Sequence, residues 1–180
     1  MAPNLRNLLH RPLLSNSSPL DPANAASRIS AYVYGNILIL AALIPITTPE
    51  EHTFQAVAIV VGTGVSTFVA HAFAEGVGQT VRTGTDLSPR QHIEELRNSV
   101  PILSATVLPT VLLAVGWWGL LDPAIGQIAA EVIIICRIAS TNFVISRLRG
   151  EKPSRGAFFG SIALAAGAAI IVFVKILLTH

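Results

Sequence analysis

Thr63, Thr67, His71, Glu75 and Gln79 recur at every fourth position of one apolar stretch, FQAVAIVVGTGVSTFVAHAFAEGVG (residues 54 to 78), and just beyond it. On a helix, residues four apart share a face, so these polar side chains form one row. A second row at the same spacing, Ala58, Gly62, Ser66, Ala70, Ala74 and Gly78, is uniformly small. Histidine titrates near neutrality and carboxylates relay protons or bind metals, so His71 and Glu75, one turn apart, suit a proton or a divalent cation. Taken alone, His71 is more often a hydrogen-bonded packing residue. A small ridge lets a second helix approach closely, whereas a polar row avoids acyl chains and faces protein or a wet cavity.

Three further charges interrupt apolar runs: Glu131, Arg137 and Lys175. Arg137 lies ten residues before Arg147, hence about 15 Å beneath that charged surface. A charge at such depth costs at least about 2.5–3.5 kcal/mol unless it is paired or hydrated. Depth alone makes Glu75 its expected partner, with Asn36, Ser140 and Thr141 in the same polar cluster. The cluster can equally be a structural lock between helices. Glu131, with Gln127 one turn away, forms a second polar station. Lys175, near a helix end, is expected to snorkel to water. His92 and Glu95, in the phrase HIEE, read as a solvated helix face. Two small rows near the C-terminus, Ser161/Ala165/Ala169 and Gly160/Ala163/Gly167, predict a close-packing helix at the bundle centre or in a dimer interface.

The elements that must position these groups are helices in a bilayer. The chain has 180 residues, of which 52% are hydrophobic and 12% charged, and its mean hydropathy is +0.62. Those values describe a membrane protein. Five apolar segments, about 29–48, 54–78, 100–121, 123–146 and 156–178, can each cross a core of about 30 Å. The expected fold is all-α with five transmembrane helices, preceded by a flexible tail over residues 1–28. Pro101 and Pro123 fall at first-turn positions, Asp122 and Ser154 are N-caps, and Pro109 should kink the third span. Between the second and third spans, residues 79–99 predict an amphipathic loop. A short helix opens there at Ser88-Pro89 and turns Ile93 and Leu96 to the membrane.

Ten of the twelve basic residues lie in the tail, the 79–99 loop and the 147–155 loop, while the opposite loops hold Glu50, Glu51 and Asp122. The positive-inside rule then places the N-terminus in the cytoplasm and the C-terminus outside. Abundant Arg, Ala and Gly suggest a GC-rich bacterial genome and the inner membrane as location. Nucleic acid is not an expected partner, because there is no basic run, zinc pattern or aromatic platform. Cys136 is the sole cysteine. There is no nucleophile elbow, HExxH or phosphate-binding glycine loop, so an enzyme is not expected, and the sequence leaves any cofactor unknown.

The phrases AYVYGN and GTGVSTFVAHAFAE resemble five-helix integral membrane proteins of actinomycete-type bacteria, a likeness that implies no activity. More distantly, the chain resembles the vacuolar iron transporter family. Shared features are five helices, an inner N-terminus, an outer C-terminus and a cytoplasmic segment between helices two and three. The family's small-residue run matches Gly62 to Ser66, with Thr67 at its Met position, Ala70 at its Gly and His71 at its Glu. Gly35-Asn36 stands where the family has Asn-Asp-Gly and brings no acid. The family's long acidic domain shrinks to residues 79–99, with Glu94 and Glu95. The resemblance implies iron transport. Together these readings lead to transport or conduction of a proton or divalent metal along the polar row of the second helix, by a homodimer. The alternative is a scaffold or accessory subunit that docks a protein partner through its small-residue faces.

Overall fold

The structure, a computed structural model, describes residues 22–46, 53–149 and 155–179. Among them are six helices and no strand: α1 (Pro22–Leu43), α2 (Thr53–Thr83), α3 (Pro89–Trp117), α4 (Pro123–Ala139), α5 (Thr141–Arg149) and α6 (Arg155–Thr179). Local chemistry sets several boundaries. Ser88 and Gln91 form a reciprocal capping box ahead of Pro89. Asp122 accepts from the Ala124 and Ile125 amides at 2.8 and 3.2 Å, with Pro123 in the first turn as expected. Gly119, at φ 72°, allows the tight reversal between α3 and α4.

Other boundaries differ from expectation. Residues 22–28 belong to α1 rather than to a tail, and the rest of that tail lies outside the described residues. The amphipathic 89–99 segment and the third span form one helix, so Pro101 is interior, not in a first turn. α3 runs unbroken through Pro101 and Pro109. Pro101 has no N–H to offer the Arg97 carbonyl, and the Ser104 hydroxyl donates to the Pro101 carbonyl at 2.7 Å. The expected fourth span is broken: α4 and α5 meet at Ser140 with a bend of 48°. There the Ser140 and Thr141 hydroxyls donate to the carbonyls of Arg137 and Ile138 at 2.8 and 2.7 Å. Such local hydroxyl bonds compete with the helical ladder. The proposed cap at Ser154 lies outside the described residues.

α1, α2, α3 and α6 are each long and apolar enough to cross a membrane, and a fifth span exists only if the bent pair counts as one. α1 is the central helix and touches α2, α3, α4 and α5, while α6 packs at the edge against α4 and α5. Ile39, Leu43, Ile102, Leu113, Ile134 and Ile138 are fully buried between them. Close approach depends on glycines other than those expected. A Cβ at Gly35 would lie 2.8 Å from the Ile102 Cα, and one at Gly64 would collide with the Thr106 side chain.

The expected ridge of α2 faces outward instead. Ala58, Gly62, Ser66 and Ala70 are exposed, and a Cβ at Gly62 would meet no atom within 4 Å. The inward seam is Ala56, Val60, Gly64 and Thr67, turned by about half the helix. On α6 the first expected row keeps Ser161 and Ala165 inside and turns only Ala169 out. Ser161, Ala165, Ala168 and Val172 face inward, whereas Gly160, Ala163 and Gly167 are exposed on a helix at the edge rather than the centre. The protein is apolar on its outside: Val65, Val69, Phe73, Val77 and Val81 form one exposed row along α2.

Candidate functional site

The interior polar residues gather in three layers along the bundle axis. The first lies at the basic end. Arg28 Nε donates to Asn98 Oδ1 at 3.0 Å, and Asn98 Nδ2 donates to Asn24 Oδ1 at 2.8 Å. Close by, Gln79 Nε2 donates to Glu95 Oε1 at 2.5 Å. Glu95 is buried, and its Oε2 has no hydrogen-bond partner. The solvated face expected for His92 and Glu95 is therefore half right, since only His92 is exposed and its Nδ1 contacts the Ser88 carbonyl at 3.1 Å.

The middle layer is centred on Arg137. Its Nε donates to Asn36 Oδ1 at 2.8 Å, its Nη2 donates to Ser104 Oγ at 2.9 Å, and its guanidinium carbon sits 5.0 Å from the Tyr32 ring centroid. Asn36 lies eight residues beyond Arg28 on α1, so this layer is about 12 Å from the first. The expected Arg137–Glu75 pair does not form. Glu75 is 3.8 Å from Arg82 at the exposed end of α2, and Arg137 takes neutral partners from α1 and α3. Counting along a helix put both groups in one half of the bundle, but Glu75 lies one turn from Gln79, beside the Glu95 layer rather than the Arg137 layer.

The polar row of α2 borders the inward seam without forming one site. Thr67 is buried, and Thr63 is half-buried with its carbonyl accepting from Ser66 Oγ at 3.1 Å. His71 sets its ring edge-on to Tyr34, with centroids 6.1 Å apart, and its Nε2 is buried without a partner. His71 and Glu75, the candidate metal pair, thus have different neighbours. Among the described residues no group of three or more His, Cys, Asp or Glu side chains is arranged to hold a metal ion.

The third layer lies toward the tryptophan end, where Phe54 packs on Trp117. Glu131 is completely buried. Its Oε1 accepts from Lys175 Nζ at 2.6 Å and from Gln127 Nε2 at 3.2 Å. Lys175 and Gln127 also donate to the Leu43 carbonyl, at 3.2 and 3.3 Å, and Gln127 to that of Ile46 at 2.5 Å. They thus bind the last carbonyl of α1, at Leu43, and the Ile46 carbonyl just beyond the helix. Lys175 therefore does not snorkel away: it pairs with Glu131, its side chain being 12% exposed against 1% for the acid. The second station expected at Gln127 and Glu131 thus gains a cation that sequence reasoning assigned to water. One signal was present, since Lys175 is the only Lys or Arg among the described residues at that end. Glu131 Oε2 has no hydrogen-bond partner.

Compared with protein families, curated proteins and solved structures, the chain matches none.

Proposed function

We propose that the protein is a multi-pass membrane protein that moves a small cation, a proton first, and that its working carboxylate is Glu131. One observation supports this reading above all: a fully buried carboxylate holds Lys175 with one oxygen and keeps the other unpartnered. Ionisable groups inside a bilayer are costly, and a spare acceptor on such a group is a place for a proton. Proton uptake at Glu131 weakens its hold on Lys175, which can then turn toward the outer surface. Glu95 Oε2 and His71 Nε2, also buried and unpartnered, supply acceptors nearer the basic end. The layers lie about 9–12 Å apart by helical rise, so passage between them requires water or movement of a helix.

The test is proton flux in proteoliposomes, read with an interior pH dye. The wild type should conduct. Glu131→Gln combined with Lys175→Met, which removes both charges together, should fold and stop conducting, and His71→Ala should reduce flux. Flux unchanged in the double variant would end the proposal, and so would a wild type that moves neither protons nor divalent metals. A scaffold reading is favoured by a different observation, the uncovered small-residue rows on α2 and α6. A scaffold would keep its function, as well as its fold, in that double variant.

A further inference from the structure

We infer that Arg137 is a receptor for an oxyanion, the carboxylate or phosphate group of a small molecule or of a lipid headgroup. A guanidinium carries five N–H donors in a planar fork. Here the Nε–H goes to Asn36 and Nη2 donates once, to Ser104. The remaining donors meet no protein acceptor among the described residues. No carboxylate there comes within ion-pairing distance of Arg137: Glu131 holds Lys175, Glu75 faces Arg82 and Glu94 faces Arg90. The other buried acid, Glu95, accepts from Gln79.

The frame around the guanidinium fixes its direction without neutralising it. Asn36 Nδ2 donates to the Tyr32 carbonyl at 2.6 Å, which turns Asn36 Oδ1 toward Arg137. The Tyr32 hydroxyl donates to the Arg137 carbonyl at 3.0 Å while its ring lies under the guanidinium. Three neutral groups on α1 and α3 thus hold a full positive charge about 12 Å from the Arg28 layer. Arg137 is only half-buried and Ser104 is exposed, so the unused edge is open to the surroundings. A planar fork with free donors matches the two oxygens of a carboxylate or phosphate, and an anion supplies the countercharge that the described residues omit. The site is independent of Glu131, which lies about 9 Å further along α4.

The experiment uses the full chain in a neutral detergent. Thermal unfolding is followed with acetate or inorganic phosphate titrated against chloride at equal ionic strength. In parallel, native mass spectrometry follows retention of phosphatidylglycerol against phosphatidylcholine. Phosphate stabilises folded proteins generally, so the readout is the difference between wild type and variants. A free oxyanion as occupant gives saturable stabilisation by acetate or phosphate. A lipid headgroup gives no such effect but selective retention of phosphatidylglycerol. Arg137→Gln should abolish whichever is seen, and Arg90→Gln should leave it intact. Ser104→Ala keeps the charge and the fold but frees one guanidinium arm, and should weaken binding by about tenfold. It keeps the test decisive where Arg137→Gln fails to fold. The inference falls if wild type shows neither effect, if Arg137→Gln binds like wild type, or, where that variant does not fold, if Ser104→Ala binds like wild type. It also falls if Arg137→Gln merely dissolves a dimer, because the countercharge is then a carboxylate of a second copy.

Discussion

Lys175 and Glu131 are packed together against the end of α1, so deleting Lys175 leaves the buried Glu131 carboxylate without the cation it holds. Breaking a buried pair costs about 3–5 kcal/mol, whereas replacing both members by apolar or neutral groups is often close to neutral. Lys175→Met should therefore lower the unfolding temperature sharply, and adding Glu131→Gln should restore most of it. Equal destabilisation by the single and double variants would show that packing rather than charge sets the cost. The exposed pairs Glu75–Arg82 and Arg90–Glu94 should show no such coupling, because surface ion pairs contribute about 0–1 kcal/mol. Glycines separate just as cleanly. Gly64→Leu must displace Thr106 and should cost about 1–3 kcal/mol, while Gly62→Leu meets open space and should stay within about 0.5 kcal/mol. Unfolding in detergent checks both, and a strong effect at Gly62 would reveal a second copy on that ridge. At this scale the sequence made residue types and depths legible. Asn36 and Glu131 are fully buried and Arg137 is half-buried. Partners were not legible, because a coarse depth matched Arg137 to Glu75, whereas packing between helices seats Glu75 by Arg82 and Arg137 by Asn36 and Ser104.

Helix ends were readable where a side chain caps them. Ser88, Asp122 and Pro123 announce their helices through their own donors and acceptors, and all three do so in the structure. Pro101 was misleading for a physical reason. A proline fits a first turn well, but it also survives inside a helix when its neighbours supply hydrogen bonds and the rest of the helix is well packed. Ser140-Thr141-Asn142 was the opposite case, a polar triplet inside an apolar run whose hydroxyls turn back on the backbone and break the span. The break also positions Arg137, since Ser140 lies beside the Tyr32 hydroxyl at 3.3 Å. Replacing Ser140 and Thr141 by alanine should therefore lengthen α4 through the break. Cys136, the one native cysteine, is free and exposed and can carry one spin label. A second label at Arg147→Cys makes the bend measurable by pulsed electron resonance. Relief of the 48° bend should lengthen that distance in the alanine variant. An unchanged distance would mean that contacts of α5 with α1 and α6, not the hydroxyls, hold the bend.

The molecule as a whole turns apolar side chains outward and gathers Asn36, Asn98, Gln127 and Glu131 within, an arrangement compatible with lipid as its surroundings. Its charges are also sorted by end. Arg28, Arg82, Arg90 and Arg97 lie on the same side of the bundle as the Glu95 layer, whereas Asp122, Trp117 and Trp118 mark the opposite end. Moving a cluster of arginines across a bilayer is costly, and short loops rich in them stay in the cytoplasm. The basic end should then face the cytoplasm. A reporter enzyme inserted near Ser88 should be active there, and one fused after His180 should be active outside. An odd number of crossings between these two points is required, and it is met only if α4 and α5 together make one span. The fusion pair thus tests orientation and the broken helix at once. Activity of both fusions in the cytoplasm would contradict the Lys175–Glu131 contact, which seats the C-terminal part of α6 at the tryptophan end. Exchange of the two signals would turn the molecule over, giving Arg137 an outer rather than a cytoplasmic approach.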